Sequence, residues 1–409
     1  MRNRKDEVVY FFTNEVNISF VQQEINNLAG IFSTVYVYAS NGKSEVKFPG
    51  NVVLTEADYT GYSTSGIVAK NFFTVLGLAF LELVRTPKYF SHFSVYLKSL
   101  SQLLRCLHLS EQVKNSEGFK PGNAVFYTFW FNQWATVLSL LARKKIINKY
   151  YSRTHGTDLY EYRVPKIKRI PFRWFQLKHN EGVFSVSMKG ADYLRQMYPQ
   201  HSGKIHSSYL GSKDLGMAAF DPGKKFTILS CANVRNIKRI HFIPEILQHL
   251  DFDVKWIHVG NENLNSKDVT IPVYKKNKEN LKAKSNIEVE CKGALTNEEV
   301  LQFYKTNNIN LFISVSETEG LPVSMMEAIS FGIPVISTDV GGCSEIVNEA
   351  TGVLIPKDFV PSEVAETIKQ FRLSEKNTPV FRKKARAYWE RNFNGEVNFK
   401  LFADQLTAN

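Results

Sequence analysis

Residues 314–347 read SVSETEGLPVSMMEAISFGIPVISTDVGGCSEIV. An apolar, β-branched run at 309–315 leads into this stretch; a helical pattern over 323–331 and a second short run at 334–337 follow. Strand, helix and strand in such close succession predict a βαβ unit with parallel strands. The alternation continues outward. Strands are expected at 226–230, 254–259, 287–290 and 352–355, and helices at 240–250, 297–305 and 361–371, which predicts a doubly wound parallel sheet. The N-terminal half begins alike, with a strand at 8–12, an amphipathic helix at 20–28 and a strand at 35–38. Later strands are expected at 124–127, 150–154, 184–186 and 204–209. A Phe- and Leu-rich helical insertion occupies about 68–108, and 211–223 (GSKDLGMAAFDPG) suits an interdomain linker. In open α/β sheets, ligands bind beyond the carboxyl ends of the strands, so the chemistry is expected there.

Composition narrows the partners. The chain has 409 residues, 44% of them hydrophobic, with 51 Lys+Arg against 39 Asp+Glu for a formal charge of +12. That is an ordinary globular composition for two or three domains, with an excess that asks for an acidic partner: nucleic acid, an anionic membrane or phosphorylated substrates. The start, MRNRKDEVVYFF, is basic, but its apolar run is short and has no small-residue cleavage site, so no secretory signal is expected. The longest apolar stretch, Phe72 to Val84, contains Glu82 and is too short to span a bilayer. Cys106, Cys231, Cys291 and Cys343 are widely spaced and read as buried free thiols in a reducing cytoplasm. G-x-x-x-x-G-K-[ST], G-x-G-x-x-G and H-E-x-x-H are all absent, which removes the usual support for ATPase, dinucleotide oxidoreductase and metalloprotease readings.

Chemistry concentrates in the opening stretch. Gly320 lets backbone approach a ligand, Pro322 suits a helix start, and the N–H groups of Gly320, Leu321, Val323 and Ser324 at a helix N-terminus form an anion site fit for a phosphate. Glu319 and Glu327 stand up to roughly 12 Å apart if helical rise separates them. That is too far for the acid and nucleophile of a retaining hydrolase, but it suits two ends of an elongated ligand. An acidic residue in a first helical turn also has a plain reading as dipole compensation.

This segment resembles the E-x7-E signature of the retaining glycosyltransferases of family 4, also called group 1, and in particular the branch that builds bacterial surface polysaccharides. The resemblance implies the GT-B fold: two Rossmann-like domains facing across a cleft. It sets an acceptor-side domain at 1–213 with the insertion, a linker at 214–223, a nucleotide-sugar domain at 224–385, and a helix at 386–409 packing back on the first domain through Trp389 and Phe393. Carried over by position, Glu319 would face the donor sugar and Glu327 the ribose. Lys238, in CANVRNIKRIHFI, would bind the diphosphate, although a solvated helix start also explains Lys238-Arg239. The family's arginine falls at Asn233, with Arg235 displaced by two residues. CKGALTNEEVLQFY looks like the base-binding loop, with backbone near Gly293, Ala294 and Leu295 holding the base, and Gly320, Leu321, Pro322 and Val323 complete the donor set. His155, in YYSRTHGTDLYEYR, matches a family histidine that points at the donor sugar, against the plain reading of a structural histidine. The first βα loop, Asn14-Glu15-Val16-Asn17, lacks the glycines often found there.

The resemblance implies transfer of a sugar from a UDP- or GDP-linked donor to a polyprenyl-diphosphate-linked saccharide, with retention and without metal or other cofactor. Asp251-Phe252-Asp253 matches D-x-D but sits between a helix and a strand and reads as turn chemistry. The rival readings are a GT-B epimerase or phosphorylase and a basic nucleic-acid-binding module; the latter has no supporting motif, so no nucleic acid partner is expected. Finally, 143–178 holds eleven basic and two acidic residues. Read as more than a solvated face, this stretch, with Lys166, Lys168, Arg169 and Arg173, would meet acceptor or anionic membrane on the cytoplasmic side, helped by the apolar helices of 68–108.

Overall fold

The computed structural model describes residues 7–41, 47–58, 60–262 and 268–407; the basic start at 1–6 lies outside them. By contact, the chain divides into unit 1 (1–208 with 401–409) and unit 2 (209–400).

Unit 1 holds strands β1 (Val8–Glu15), β2 (Thr34–Asn41), β3 (Val52–Glu56), β4 (Val125–Thr128), β5 (Tyr151–Thr154), β6 (Gly182–Ser185) and β7 (Ile205–Ser207). Its helices are α1 (Ser19–Ala29), α2 (Thr64–Lys70), α3 (Phe72–Arg85), α4 (Phe93–Asn115), α5 (Gln133–Arg143), α6 (Gly156–Leu159), α7 (Arg173–His179) and α8 (Met188–Met197). In unit 2, β8 (Phe226–Cys231), β9 (Val254–Val259), β10 (Ile287–Gly293), β11 (Leu311–Ser314), β12 (Val335–Thr338) and β13 (Gly352–Ile355) form the sheet. Around it run α9 (Phe242–Leu247), α10 (Thr270–Lys282), α11 (Asn297–Thr306), α12 (Val323–Ser330), α13 (Cys343–Ile346), α14 (Pro361–Leu373) and α15 (Pro379–Asn392). α16 (Gly395–Thr407) ends the described chain.

Every strand pair is parallel. The orders are β3-β2-β1-β4-β5-β6-β7 and β10-β9-β8-β11-β12-β13. Renumbered within its unit, the second sheet runs 3-2-1-4-5-6, the order of the Rossmann fold, and the first follows it with one strand added. Each order reverses at one point, between β1 and β4 and between β8 and β11, the position at which open α/β sheets bind their ligands. Central strands are buried on both faces, as helices on either side require: β8 reads FTILSC and is buried through Ser230, and Val335–Thr338 is wholly buried.

Differences from expectation have local causes. The strand Val52–Glu56 escapes notice because it is an edge strand with Val53 and Leu54 exposed. Thr270–Lys282 is Lys-rich and buries only Thr270, Ile271, Tyr274 and Leu281, too sparse a stripe to read as a helix. The expected helix at 240–250 shortens to α9, preceded by a 3-10 turn at Asn236–Lys238. Cys291 is exposed near the end of the edge strand β10 and Cys231 is half-buried, so the reading of all four thiols as buried holds only for Cys106 and Cys343. Trp389 and Phe393 are fully buried, but within unit 2 rather than on the first domain as expected: the Trp389 indole donates to Ser212 Oγ at 2.8 Å and Phe393 packs edge-on against Tyr209. Residues 401–409 belong to unit 1, where Phe402 packs edge-on against Tyr127 and Phe184.

Candidate functional site

In unit 2 the chain positions its candidate residues with the loops after β8 and β11, at the sheet's reversal point. The β8 loop is held down first. Val234 N–H donates to the Asn261 carbonyl at 3.0 Å, and Asn233 Oδ1 accepts from Asn261 N–H at 2.9 Å. Gly260 (φ 148°) permits this approach, since a Cβ there would lie 2.0 Å from the Ala232 carbonyl oxygen. The two loops are then fastened together. Glu317 N–H donates to the Ile237 carbonyl at 2.9 Å, and Arg239 donates to the carbonyls of Val315 (2.7 Å) and Lys357 (2.9 Å) while lying over Phe359. Arg239 is therefore an internal clamp rather than part of a solvated helix start. With both loops fixed, Lys238 Nζ meets Glu319 Oε1 at 2.6 Å, Glu319 being 9% exposed.

Behind Glu319, Gly342 N–H donates to the Gly320 carbonyl at 2.8 Å. A Cβ on Gly341 (φ 54°) would sit 2.0 Å from the Glu319 carbonyl oxygen. The Gly341-Gly342 pair that closes the βαβ stretch thus serves the loop that opens it. Pro322 is the N-cap of α12, one position earlier than the helix start expected for it, and no side chain caps the helix. Uncapped N–H groups and the helix dipole favour an anion there. Leu321 is buried beneath.

Glu327 lies in the second turn of α12 and is 6% exposed; its Oε1 accepts from Asn297 Nδ2 at 2.8 Å. Burial pushes its carboxyl up to about 7, and the Asn297 bond opposes this. Asn297 opens α11, directly after Gly293, Ala294, Leu295 and the capping Thr296, so this bond ties the expected ribose residue to the expected base loop. Nothing in the sequence around Asn297 marks it. Gly293 (φ 70°) accepts from Gly260 N–H at 2.8 Å, and the space beside its Cα is open. Arg235 is exposed at the edge of the β8 loop.

In unit 1, His155 follows β5. Its ring stacks on Phe129 at 4.5 Å and lies near Trp130 and Phe20. Nε2 faces the Phe129 carbonyl at 3.1 Å, so Nε2 carries the proton; the side chain accepts from Asp158 N–H, and Asp158 Oδ1 accepts from His155 N–H at 2.6 Å. Burial and then the Arg153 charge lower the imidazole to about 3, which keeps it neutral. Burial raises Asp158 to about 6 against its N–H bonds from His155 and Phe131 and the charge of Arg173. At the reversal point of this sheet, a pocket of about 460 Å³ is lined by Asn14 and Glu15 at the end of β1 and Ile18 after it, Trp130, Phe131 and Asn132 after β4, Thr157 and Asp158, and Val164, Ile170 and Pro171. The lining carries two carboxylates and no Lys or Arg.

The basic stretch 143–178 proves less cationic at the surface than its composition. Arg153 is 1% exposed, donates to both oxygens of Glu24 at 3.0 Å and lies over Phe402. Lys144 pairs with Glu111 at 3.1 Å and Arg169 with Glu161 at 3.2 Å. Arg173, expected at a membrane or acceptor surface, is 1% exposed, bound to the Asp158 carbonyl (2.5 Å) and Gln176 (3.0 Å), with its guanidinium over Phe131. It supports the wall of the pocket and meets no surface. Lys166 and Lys168 are exposed, both with positive φ. The D-x-D aspartate Asp251 pairs with Lys369 at 2.9 Å.

The fold and this placement of site loops define the GT-B class. The chain superposes on Anabaena Alr3699/HepE, solved in complex with UDP and glucose, with a TM-score of 0.70 at 13% identity, covering 98% of this chain and 99% of that one. The lipopolysaccharide outer core galactosyltransferase WaaB gives 0.65 at 12% identity, covering 97% and 98%. More particularly, residues 218–388 match the family model of the glycosyl transferases group 1. The O-antigen biosynthesis glycosyltransferase WbnH of Escherichia coli is 41% identical over 66 residues, 16% of this chain; the matched stretch spans about a fifth of that relative (19%).

Proposed function

We propose that this chain is a retaining glycosyltransferase of family 4 that moves a sugar from a UDP- or GDP-linked donor onto a polyprenyl-diphosphate-linked saccharide in bacterial surface-polysaccharide synthesis. The observation that carries the reading is the Lys238–Glu319 pair at 2.6 Å beside the uncapped start of α12, at the reversal point of the unit 2 sheet.

In the mechanism we infer, the donor diphosphate takes Glu319's place on Lys238 and accepts from the N–H groups of Gly320, Leu321, Val323 and Ser324. Glu319, released, accepts from the sugar hydroxyls beside the reacting carbon. Charge that builds on the leaving diphosphate is met by Lys238, by Arg235 at the loop edge and by the dipole of α12. Asn233, whose Oδ1 is engaged by Asn261, adds at most its amide N–H. Glu327 accepts from the ribose, and Gly293, Ala294 and Leu295 offer backbone to the base. The acceptor hydroxyl attacks on the face that the diphosphate leaves, and a leaving-group oxygen takes its proton. Neutral His155 hydrogen-bonds the sugar by exchanging one of its internal bonds. The protein supplies positioning and fixed charge from its own side chains, and the proposed step uses no metal or other cofactor. The unit 1 pocket takes the acceptor saccharide, with the enzyme at the cytoplasmic membrane face.

Release of nucleoside diphosphate from UDP- or GDP-sugars is expected only when a polyprenyl-diphosphate saccharide is added, and at an unchanged rate in EDTA. Release without acceptor, or conversion of the free sugar nucleotide, would replace this reading with hydrolysis or epimerisation.

A further inference from the structure

The outer face of α3 is unaccounted for by the fold of unit 1. Phe72, Phe73, Leu76, Phe80 and Val84 recur at helical spacing, and each keeps between 52% and 84% of its surface exposed. Phe90 (73%), Phe93 (58%) and Leu97 (51%) carry the face through the following turn into α4. Monomeric proteins rarely leave so large a contiguous apolar surface in water.

The inner face is fixed. Glu82 is 1% exposed and accepts from Trp174 Nε1 (2.8 Å), Phe172 N–H (3.1 Å) and Tyr89 O–H (3.1 Å). Carrying α3 across a bilayer would break all three bonds to a buried carboxyl. At 14 residues the helix is about 21 Å long, short of a hydrocarbon core of about 30 Å. The bent pair of α2 and α3 is apolar enough to cross by composition, but Glu82 holds α3 against the body of unit 1. The helix lies on a surface and does not span one.

Charge selects the surface. Glu82 is the sole acidic residue from 64 to 98; Lys70 pairs with Glu111 at 3.0 Å, whereas Arg85, Lys88 and Lys98 are exposed along the rim. Protein interface cores are depleted of lysine; anionic headgroups over acyl chains attract an apolar stripe rimmed by cations. We propose that α3, the turn after it and the start of α4 form an in-plane membrane-binding face, its Phe side chains sunk into the headgroup–acyl boundary of an anionic bilayer.

The face connects to the pocket. Ile167, between exposed Lys166 and Lys168, is buried with Tyr89 and Tyr96 and against Ala79 and Leu83 of α3, and its loop supplies Val164, Ile170 and Pro171 to the pocket lining. Membrane contact through α3 therefore sets the pocket beside the lipid surface. The face stands on its own geometry; only its use, offering the pocket to a lipid-linked acceptor, rests on the proposed function.

The test is co-sedimentation of the full chain with phosphatidylglycerol/phosphatidylethanolamine vesicles. Wild type is expected to pellet with them and far less with pure phosphatidylcholine. The double variant Phe73→Glu/Phe80→Glu should lose at least about tenfold in partitioning, with its melting temperature and nucleotide-induced thermal shift unchanged. Lys166→Glu/Lys168→Glu should weaken binding less, and mainly at low salt. Wild type left in the supernatant with anionic vesicles, or equal partitioning by the Phe double variant, would overturn the proposal. So would a lipid-free dimer that this variant makes monomeric without altering vesicle binding. A chain that pellets but binds no sugar nucleotide would refute the proposed function and leave this face standing.

Discussion

The two sheets share one strand order through six strands and differ in what their loops place at the point of reversal. In unit 2 the loops bring a cation, a carboxylate and an uncapped helix start together, with Lys238 on Glu319 at 2.6 Å. In unit 1 the corresponding loops line a pocket of about 460 Å³ with aromatic and amide side chains, two carboxylates and no cation. The scaffold fixes where such loops meet, and the loop residues fix what they offer: a cation beside an uncapped helix start in unit 2, aromatic, amide and carboxylate groups in unit 1. The cations of 143–178 lie outside that lining: Arg153 and Arg173 are buried, and Lys166 and Lys168 are exposed.

The largest effect that would sharpen this contrast is at Glu319. Glu319→Ala should lower transfer by about a thousandfold, within the range for a group acting at developing charge, in a chain that still folds and melts only modestly lower for the lost pair with Lys238. Full activity in a folded variant would remove unit 2 as the reacting side. Next, Arg173→Ala should cost unit 1 about 3–5 kcal/mol, as expected when a buried charged network loses one partner, seen as a large drop in melting temperature. A variant as stable as wild type would return Arg173 to the surface.

The third effect depends on pH. Glu327 sits at about 7 in the folded chain against an ordinary 4.5. Between those values the unfolded chain gives up the proton first, so the stability present below pH 4.5 is lost as pH rises through 7. The loss is on the order of 3 kcal/mol. Glu327→Gln should therefore melt higher than wild type at pH 8 and nearly level with it at pH 4.5, while binding nucleotide more weakly; a pH-independent difference would contradict the burial account. The smallest effect is at exposed Lys166. Lys166→Ala should change stability by less than about 0.5 kcal/mol, and a larger loss would mean that this lysine, like Arg173, belongs to the core.

Much of this was legible in the sequence, for physical reasons. Buried parallel strands announce themselves as apolar runs, and the stretch 311–338 compresses strand, loop, helix and strand into one reading frame. The departures come from pairing over distance. Glu24 and Glu111, which neutralise Arg153 and Lys144, lie outside the window whose charge was counted. Asn297 meets Glu327 from 30 residues away, and Arg239 turns inward because β11 ends beneath it. Sequence also marked 68–108 as apolar without showing which side Glu82 would fasten.

On the proposed function, Lys238 and its neighbours at the unit 2 reversal point hold a nucleoside diphosphate without a metal. Calorimetric titration of UDP, GDP and ADP in EDTA, into wild type and Lys238→Ala, tests this. One nucleotide should bind wild type and bind the variant at least about tenfold more weakly. Equal affinity in the two proteins, or binding that requires an added divalent cation, would contradict it.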